Sequence, residues 1–277
     1  MTSSSLARPV PRPSAWRRWR WRWTHPELSV LAVAVVAWLW VLTLHLTMPS
    51  HVGALHCSML PNAVVHHHGA MVQGASVDRC VALPSGVPDF PVSLVLWVGM
   101  ATAMMLPTTV PVVRSIAMNG RWNRRHRSQM LFAFGYLGVW SAFGAVALGA
   151  VLVFGAKAFV VPAVSVMLAT AAAWEVARRK RLFLRACHRV RSLPADGGRA
   201  DRACVVAGVR NGLQCTGACG PMMVPMVLAP HALWLMVLLF GIVVAEKLLT
   251  KAVDHLPMFA AMLATTAVIV AFGAPLG

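Results

Sequence analysis

The chain has 277 residues, of which 58% are hydrophobic and 12% charged, with a mean hydropathy of +0.67. A water-soluble domain carries about twice that share of charge, so composition excludes an ordinary globular enzyme and points to a polytopic membrane protein. The net charge of +17 does not point to nucleic acid, because it is concentrated between apolar runs, at Arg8–Arg22, Arg121–Arg127 and Arg178–Arg202, the pattern that holds basic loops in the cytoplasm.

Residues 1–26 form a basic tail rich in Pro, Ser, Arg and Trp, expected in the cytoplasm with little order of its own. Its alternation of base and aromatic from Trp16 to Trp23 has the composition of a surface that stacks on single-stranded nucleic acid. Directly ahead of an apolar helix it reads instead as an anchor in anionic lipid headgroups, with no nucleic-acid partner. The first span is expected over Leu28–Met48; its apolar run is long enough to cross a bilayer and lacks the small-residue cleavage site of a leader. Residues 49–90 are polar, broken by Pro and Gly, with Arg79 their one basic residue besides histidine, which fits the outer face.

Further spans are expected at roughly 91–117, 130–154, 158–177, 203–228, 231–249 and 255–273, by the length needed to cross hydrocarbon. Pro107 and Pro111 fall inside the second and Pro221 and Pro225 inside the fifth. Proline removes a backbone donor and kinks a helix, which a membrane span tolerates when neighbours compensate. The expected fold class is therefore all-α: a bundle of about seven spans, N-terminus cytoplasmic and C-terminus outside, with residues 27–277 as one transmembrane domain. The bacterial cytoplasmic membrane is the expected location.

Two sulfur-rich blocks lie inside spans. One holds Met100, Met104 and Met105; the other holds Cys215, Cys219, Met222, Met223 and Met226. Thiolate and thioether are soft ligands that select Cu(I) before harder divalent ions. At about 1.5 Å per residue, Met104 lies roughly 20 Å below the outer surface and Cys215 roughly 18 Å above the inner one. Both depths are near the middle of a hydrocarbon core about 30 Å thick, so the blocks meet if their helices are neighbours. Met100 and Met104 share a helix face, as do Cys215 and Cys219, and positions 215, 219, 222 and 226 form one stripe. Core packing is the competing explanation, since Met and Cys also serve as adaptable apolar fillers.

The outer segment adds His45, His51, His56, His66, His67 and His68, with Met48, Met59 and Met71 among them. Imidazoles mixed with thioethers suit copper, with zinc the alternative ion. Cys57 and Cys80 fall in the same segment and can form a disulfide there, because an exterior compartment is oxidising. Glu175, Arg210 and Glu246 lie in the inner half of their spans, where charge is expensive; Arg210 and Glu246, at similar depth, are the candidate ion pair. Cys187-His188 in the inner loop is a weak candidate for passing on an ion. No phosphate-binding loop, nucleophile elbow or extramembrane carboxylate pair is present, so the residues favour binding over catalysis.

The blocks at Trp97, Met100 and Ala103–Pro107 with Pro111, at Lys180–Cys187, at Gly208, Gly212, Cys215, Gly217, Cys219 and Met223, and at Glu246-Lys247 together resemble a family of predicted metal-binding integral membrane proteins. Some of its members are regarded as membrane copper chaperones for tyrosinase-type enzymes. The resemblance covers roughly residues 90–250. The sequence departs from that pattern in three places: Phe183 stands for the first of two inner-loop cysteines, Asn211 for a histidine, and Ala218-Cys219 for a cysteine pair.

Three functions follow as expectations. The first is a membrane protein that captures Cu(I) on the outer histidines and holds or delivers it through Met100, Met104, Met105, Cys215, Cys219 and Met223. Its recipient would be an outward-facing copper enzyme or an exporter. The second is a metal-free accessory subunit of a membrane complex, suggested by small-residue helix faces such as Gly135–Ala150. The third is a copper-dependent membrane oxidase, which the scarcity of intramembrane histidine disfavours.

Overall fold

A computed structural model describes residues 27–47, 90–119, 124–154, 160–187, 194, 197–229, 232–249 and 252–273. The basic tail, the disulfide candidates Cys57 and Cys80, and His51, His56, His66, His67 and His68 lie outside the described residues. Every regular element described is helical. In chain order the α-helices are α1 (Leu28–Thr47), α2 (Phe90–Met105), α3 (Val110–Asn119), α4 (Arg125–Phe154), α5 (Val160–Val176), α6 (Arg178–Cys187), α7 (Gly197–Met223), α8 (Pro225–Leu228), α9 (Leu233–Leu248) and α10 (Ala252–Ala271). A 3-10 turn, Pro107–Thr109, joins α2 to α3.

The all-α class holds among the described residues, where three or four helices or helix pairs meet the length and apolarity of a full crossing. Three described helices are long and apolar enough to cross a membrane: α1, α4 and α10. Helices α2 and α3 count as a fourth if the pair, bent by 42°, is one span. Proline explains the bend. Pro107 and Pro111 have no N–H to donate, and the chain tightens at the break, with Thr109 N–H bonding to Leu106 O at 3.0 Å and the hydroxyls of Thr108 and Thr109 donating to Met105 O and Leu106 O, each at 2.8 Å. Helices α5 and α9 have 17 and 16 residues, below the length of a full crossing. The expected fifth span is displaced. Helix α7 starts at Gly197, runs through polar residues and gives way at Val224, where Pro225 opens the four-residue α8.

Helix α6 stands in the basic segment expected to be a loop. Arg, Lys and Leu are good helix formers, and Lys180, Leu184 and Cys187 place a buried stripe on one face while four arginines face outward.

The architecture centres on α4 and α7, which share the largest interface, with α2 and α3 also against α4, α6 against α7, and α5 paired with α10. Glycine makes the α4–α7 contact close. A Cβ at Gly208 would collide with Phe132 O, and one at Gly135 with Val205 O, so the backbones touch where no side chain intervenes. Small residues commonly bring membrane helices together in this way. Arg127 clamps the basic end by its 2.7 Å ion pair with Asp201, beside the Arg124–Asp201 pair. The outward faces are strongly apolar, with Val146, Val153, Phe134 and Met130 each more than 70% exposed. A patch of that extent is unusual for a monomer in water.

Candidate copper site

Both sulfur blocks are in the core. Met104, Met105, Cys219, Met222 and Met223 have no exposed surface, and Cys215, Met226 and Met100 retain only a few per cent or less. Cys215 and Cys219 stand one turn apart on the buried face of α7. The i, i+4 spacing read from the sequence sets that placement.

Tyr136, on α4, joins the blocks. Its hydroxyl donates to Cys215 Sγ at 3.0 Å and lies 3.4 Å from the Met105 carbonyl, at the proline break of α2. Tyr136 therefore bridges the backbone at the end of α2 and a thiol of α7. Tyr136 is the one tyrosine of the chain. A lone phenol in the middle of an apolar span was a readable signal, because a buried Tyr normally needs a hydrogen-bond partner for its hydroxyl.

Two further groups complete the surroundings. Lys247, on α9, is buried beside Cys187. A cavity of about 50 Å³ sits beside them, lined in part by Tyr136, Cys187, Asn211, Lys247 and Thr108. Burial pushes the Cys187 thiol above its ordinary value, against the opposing pull of Lys247. Cys187 thus belongs to the same neighbourhood as Cys215, although its position in the sequence gave only a weak hint. Trp174 Nε1 donates to Gly217 O at 3.1 Å, and the Phe183 ring lies against Gly217. The phenylalanine therefore packs on the face of α7 opposite the thiols.

Glu246 does not pair with Arg210. It accepts a 2.6 Å bond from Lys180, which also pairs with Glu175, and all three side chains have no exposed surface. Arg210 is exposed on α7. Helix azimuth turns Arg210 outward and leaves Glu246 to the lysine of α6. His45 lies half-buried in the last turn of α1 and is the one member of the outer histidine set within the described residues.

Among the described residues, no group of three or more His, Cys, Asp or Glu side chains is disposed to hold a metal ion. An ion at this place would have the thiols of Cys215 and Cys219 beside it. That donor set fits Cu(I), which soft sulfur ligands favour, and is poor for calcium or magnesium, which require oxygen.

Comparison with known families decides the assignment. The sequence profile described as PpoB2, copper chaperone, matches residues 94–270. The chain belongs to the PpoB2 copper-chaperone family. No curated protein and no solved structure matches it. The family match spans α2 through α10 and so includes every residue of the sulfur core.

Proposed function

We propose that this PpoB2-family protein is an integral membrane copper chaperone that holds Cu(I) as cargo between Cys215 and Cys219. Thioethers of Met100, Met104, Met105 and Met223 would lie in support. The observation that carries this reading is the thiol pair one turn apart on α7, sealed from solvent and joined through Tyr136 to the backbone of Met105. Burial suits Cu(I), because exclusion of water and oxygen preserves the reduced ion while thiolates retain it. Zinc, tolerated by the same sulfurs, is the alternative ion.

On this reading the apolar helices form a bundle of about seven spans in a bacterial cytoplasmic membrane. The N-terminus lies inside with the basic segments, and residues 49–90 and the C-terminus lie outside. The short helices α5 and α9 would cross with the help of flanking residues and local thinning of the bilayer. His45, His51, His56 and His66 to His68 would capture the ion at the outer face, and an outward-facing copper enzyme or a membrane complex would receive it. Anionic lipid would hold the basic tail.

The test is anaerobic loading of the purified full-length protein with Cu(I) and elemental analysis after desalting. The expected result is about one Cu(I) per chain in the wild type and loss of most of it in folded C215S/C219S, as soft-ligand binding requires. Equal copper in the two proteins overturns the ligand assignment.

A further inference from the structure

We propose that Lys247 sets the charge selectivity of the thiol pair, favouring soft monovalent ions over soft divalent ones. The proposal rests on the reading of Cys215 and Cys219 as the cargo ligands.

The geometry supplies the argument. Lys247 projects from α9 into the sulfur core, is buried, and lines the cavity shared with Cys187 and with Tyr136, whose hydroxyl donates to Cys215 Sγ at 3.0 Å. Its neighbour on the helix, Glu246, is directed to Lys180 at 2.6 Å. A cation therefore stands beside the thiols. Uncompensated charge is costly in such a setting, so the total charge of a bound complex matters as much as the softness of its ligands.

Two thiolates around Cu(I) make a complex of charge −1, which a lysine ammonium neutralises. Two thiolates around Zn(II) or Cd(II) make a neutral complex, beside which the same ammonium is left uncompensated. The Glu175–Lys180–Glu246 group is common to both complexes, so replacing Lys247 isolates its own effect. No redox or group transfer is involved, and the ions differ only in charge at one site. At a separation of about 6 Å and an effective dielectric near 20, one unit of charge corresponds to roughly 100-fold in relative affinity.

The experiment compares Cu(I) and Cd(II) affinities of the full-length protein in detergent under anaerobic conditions. Cu(I) is held in competition with a chromophoric Cu(I) chelator, and Cd(II) is followed by its thiolate charge-transfer absorbance. Wild type, K247Q, K247R and C215S/C219S are measured together. Gln keeps a hydrogen-bond donor and removes the charge; Arg keeps the charge. The expected result is a shift of the Cu(I)-to-Cd(II) preference toward Cd(II) by about tenfold or more in K247Q, as the Coulomb argument requires. K247R should stay within about threefold of wild type on the same argument.

Equal weakening of both ions in K247Q, which is what a purely structural lysine would give, overturns the proposal. An unchanged ratio does so as well, as does a K247R shift as large as that of K247Q. If K247Q is not recovered folded, K247M is read by the same ratio. Equal Cu(I) content in wild type and C215S/C219S overturns the ligand assignment and this proposal with it. Thiol-dependent binding with no change of preference overturns this proposal alone.

Discussion

The buried group Glu175–Lys180–Glu246 gives the sharpest test of how this core is held. Lys180 reaches both carboxylates, at 2.6 Å for Glu246, and none of the three side chains has exposed surface. Replacing Lys180 by Met keeps much of the side-chain volume and leaves Glu175 and Glu246 in apolar surroundings without their shared cation. Removing one partner of a buried ion pair costs about 3–5 kcal/mol, because the remaining charge has lost its compensation. For a chain of this size that corresponds to a fall in Tm on the order of 10 °C. The lysine joins α6 to α5 and α9, so the loss should also loosen the wall of the thiol site that carries Cys187 and Lys247. The assay is thermal unfolding in detergent, followed by helical circular dichroism, for K180M beside K180M/E175Q/E246Q. Neutralising both carboxyls removes the stranded charge, and the triple variant should regain at least half of the lost Tm. A single variant as stable as wild type, or a triple variant less stable than the single, would refute the argument from charge compensation.

Three further outcomes follow from contacts already described. Tyr136→Phe removes the hydroxyl that donates to Cys215 Sγ; a bond of about 1 kcal/mol predicts roughly fivefold weaker Cu(I) retention in a chelator competition with the helix content unchanged. Gly208→Val sets a branched side chain against the Phe132 carbonyl and should prevent close α4–α7 packing, seen as a drop in Tm of several degrees or as failure to recover monodisperse protein. Cys187, whose thiol is raised by burial, should alkylate slowly at pH 7.4. Its rate should climb close to tenfold per pH unit up to about pH 9, because only the thiolate reacts; peptide mass spectrometry after iodoacetamide reads this, and a plateau below pH 8 would contradict the raised value.

Much of the core was legible because composition and period report burial directly. The i, i+4 pairs at Met100–Met104 and Cys215–Cys219 fixed a shared face, and every sulfur of both blocks is buried. Pro107 marked the break of α2 and Pro225 that of α7, since a missing N–H cannot be hidden in a sequence. What failed was azimuth. Rise per residue gives depth along a helix but not which neighbour a side chain faces, so Glu246 was assigned to Arg210 when Lys180 on α6 is its partner. Helix α6 itself was hidden because a run of arginines reads as a solvated loop. Only its buried stripe of Lys180, Leu184 and Cys187 shows that one face packs. Tyr136 and Lys247 escaped for a related reason. Each is a single polar group whose role arises from contact with a helix far away in sequence.

A chaperone must release what it binds, and the arrangement of broken and unbroken helices bears on that requirement. Three of the thioethers sit on α2, which ends before Pro107, and the thiols sit on α7, five and nine residues before the turn at Val224. Between them runs α4, a continuous helix of 30 residues that carries Tyr136. Backbone at a proline break has fewer internal bonds to lose, so α2 and the α7–α8 junction can shift at lower cost than α4. On the proposed reading, Cys215 and Cys219 hold the ion and neutral thioethers supply weaker, exchangeable contacts. Movement at either break would then lower the coordination number without removing the thiol pair. An ion held by two thiolates is open to attack by an incoming ligand of a recipient, and exchange by ligand substitution needs no step in which Cu(I) is free. Measured transfer to a thiol chelator should therefore rise with chelator concentration. A rate independent of chelator would instead indicate prior dissociation and would remove the kinetic role assigned here to the two breaks.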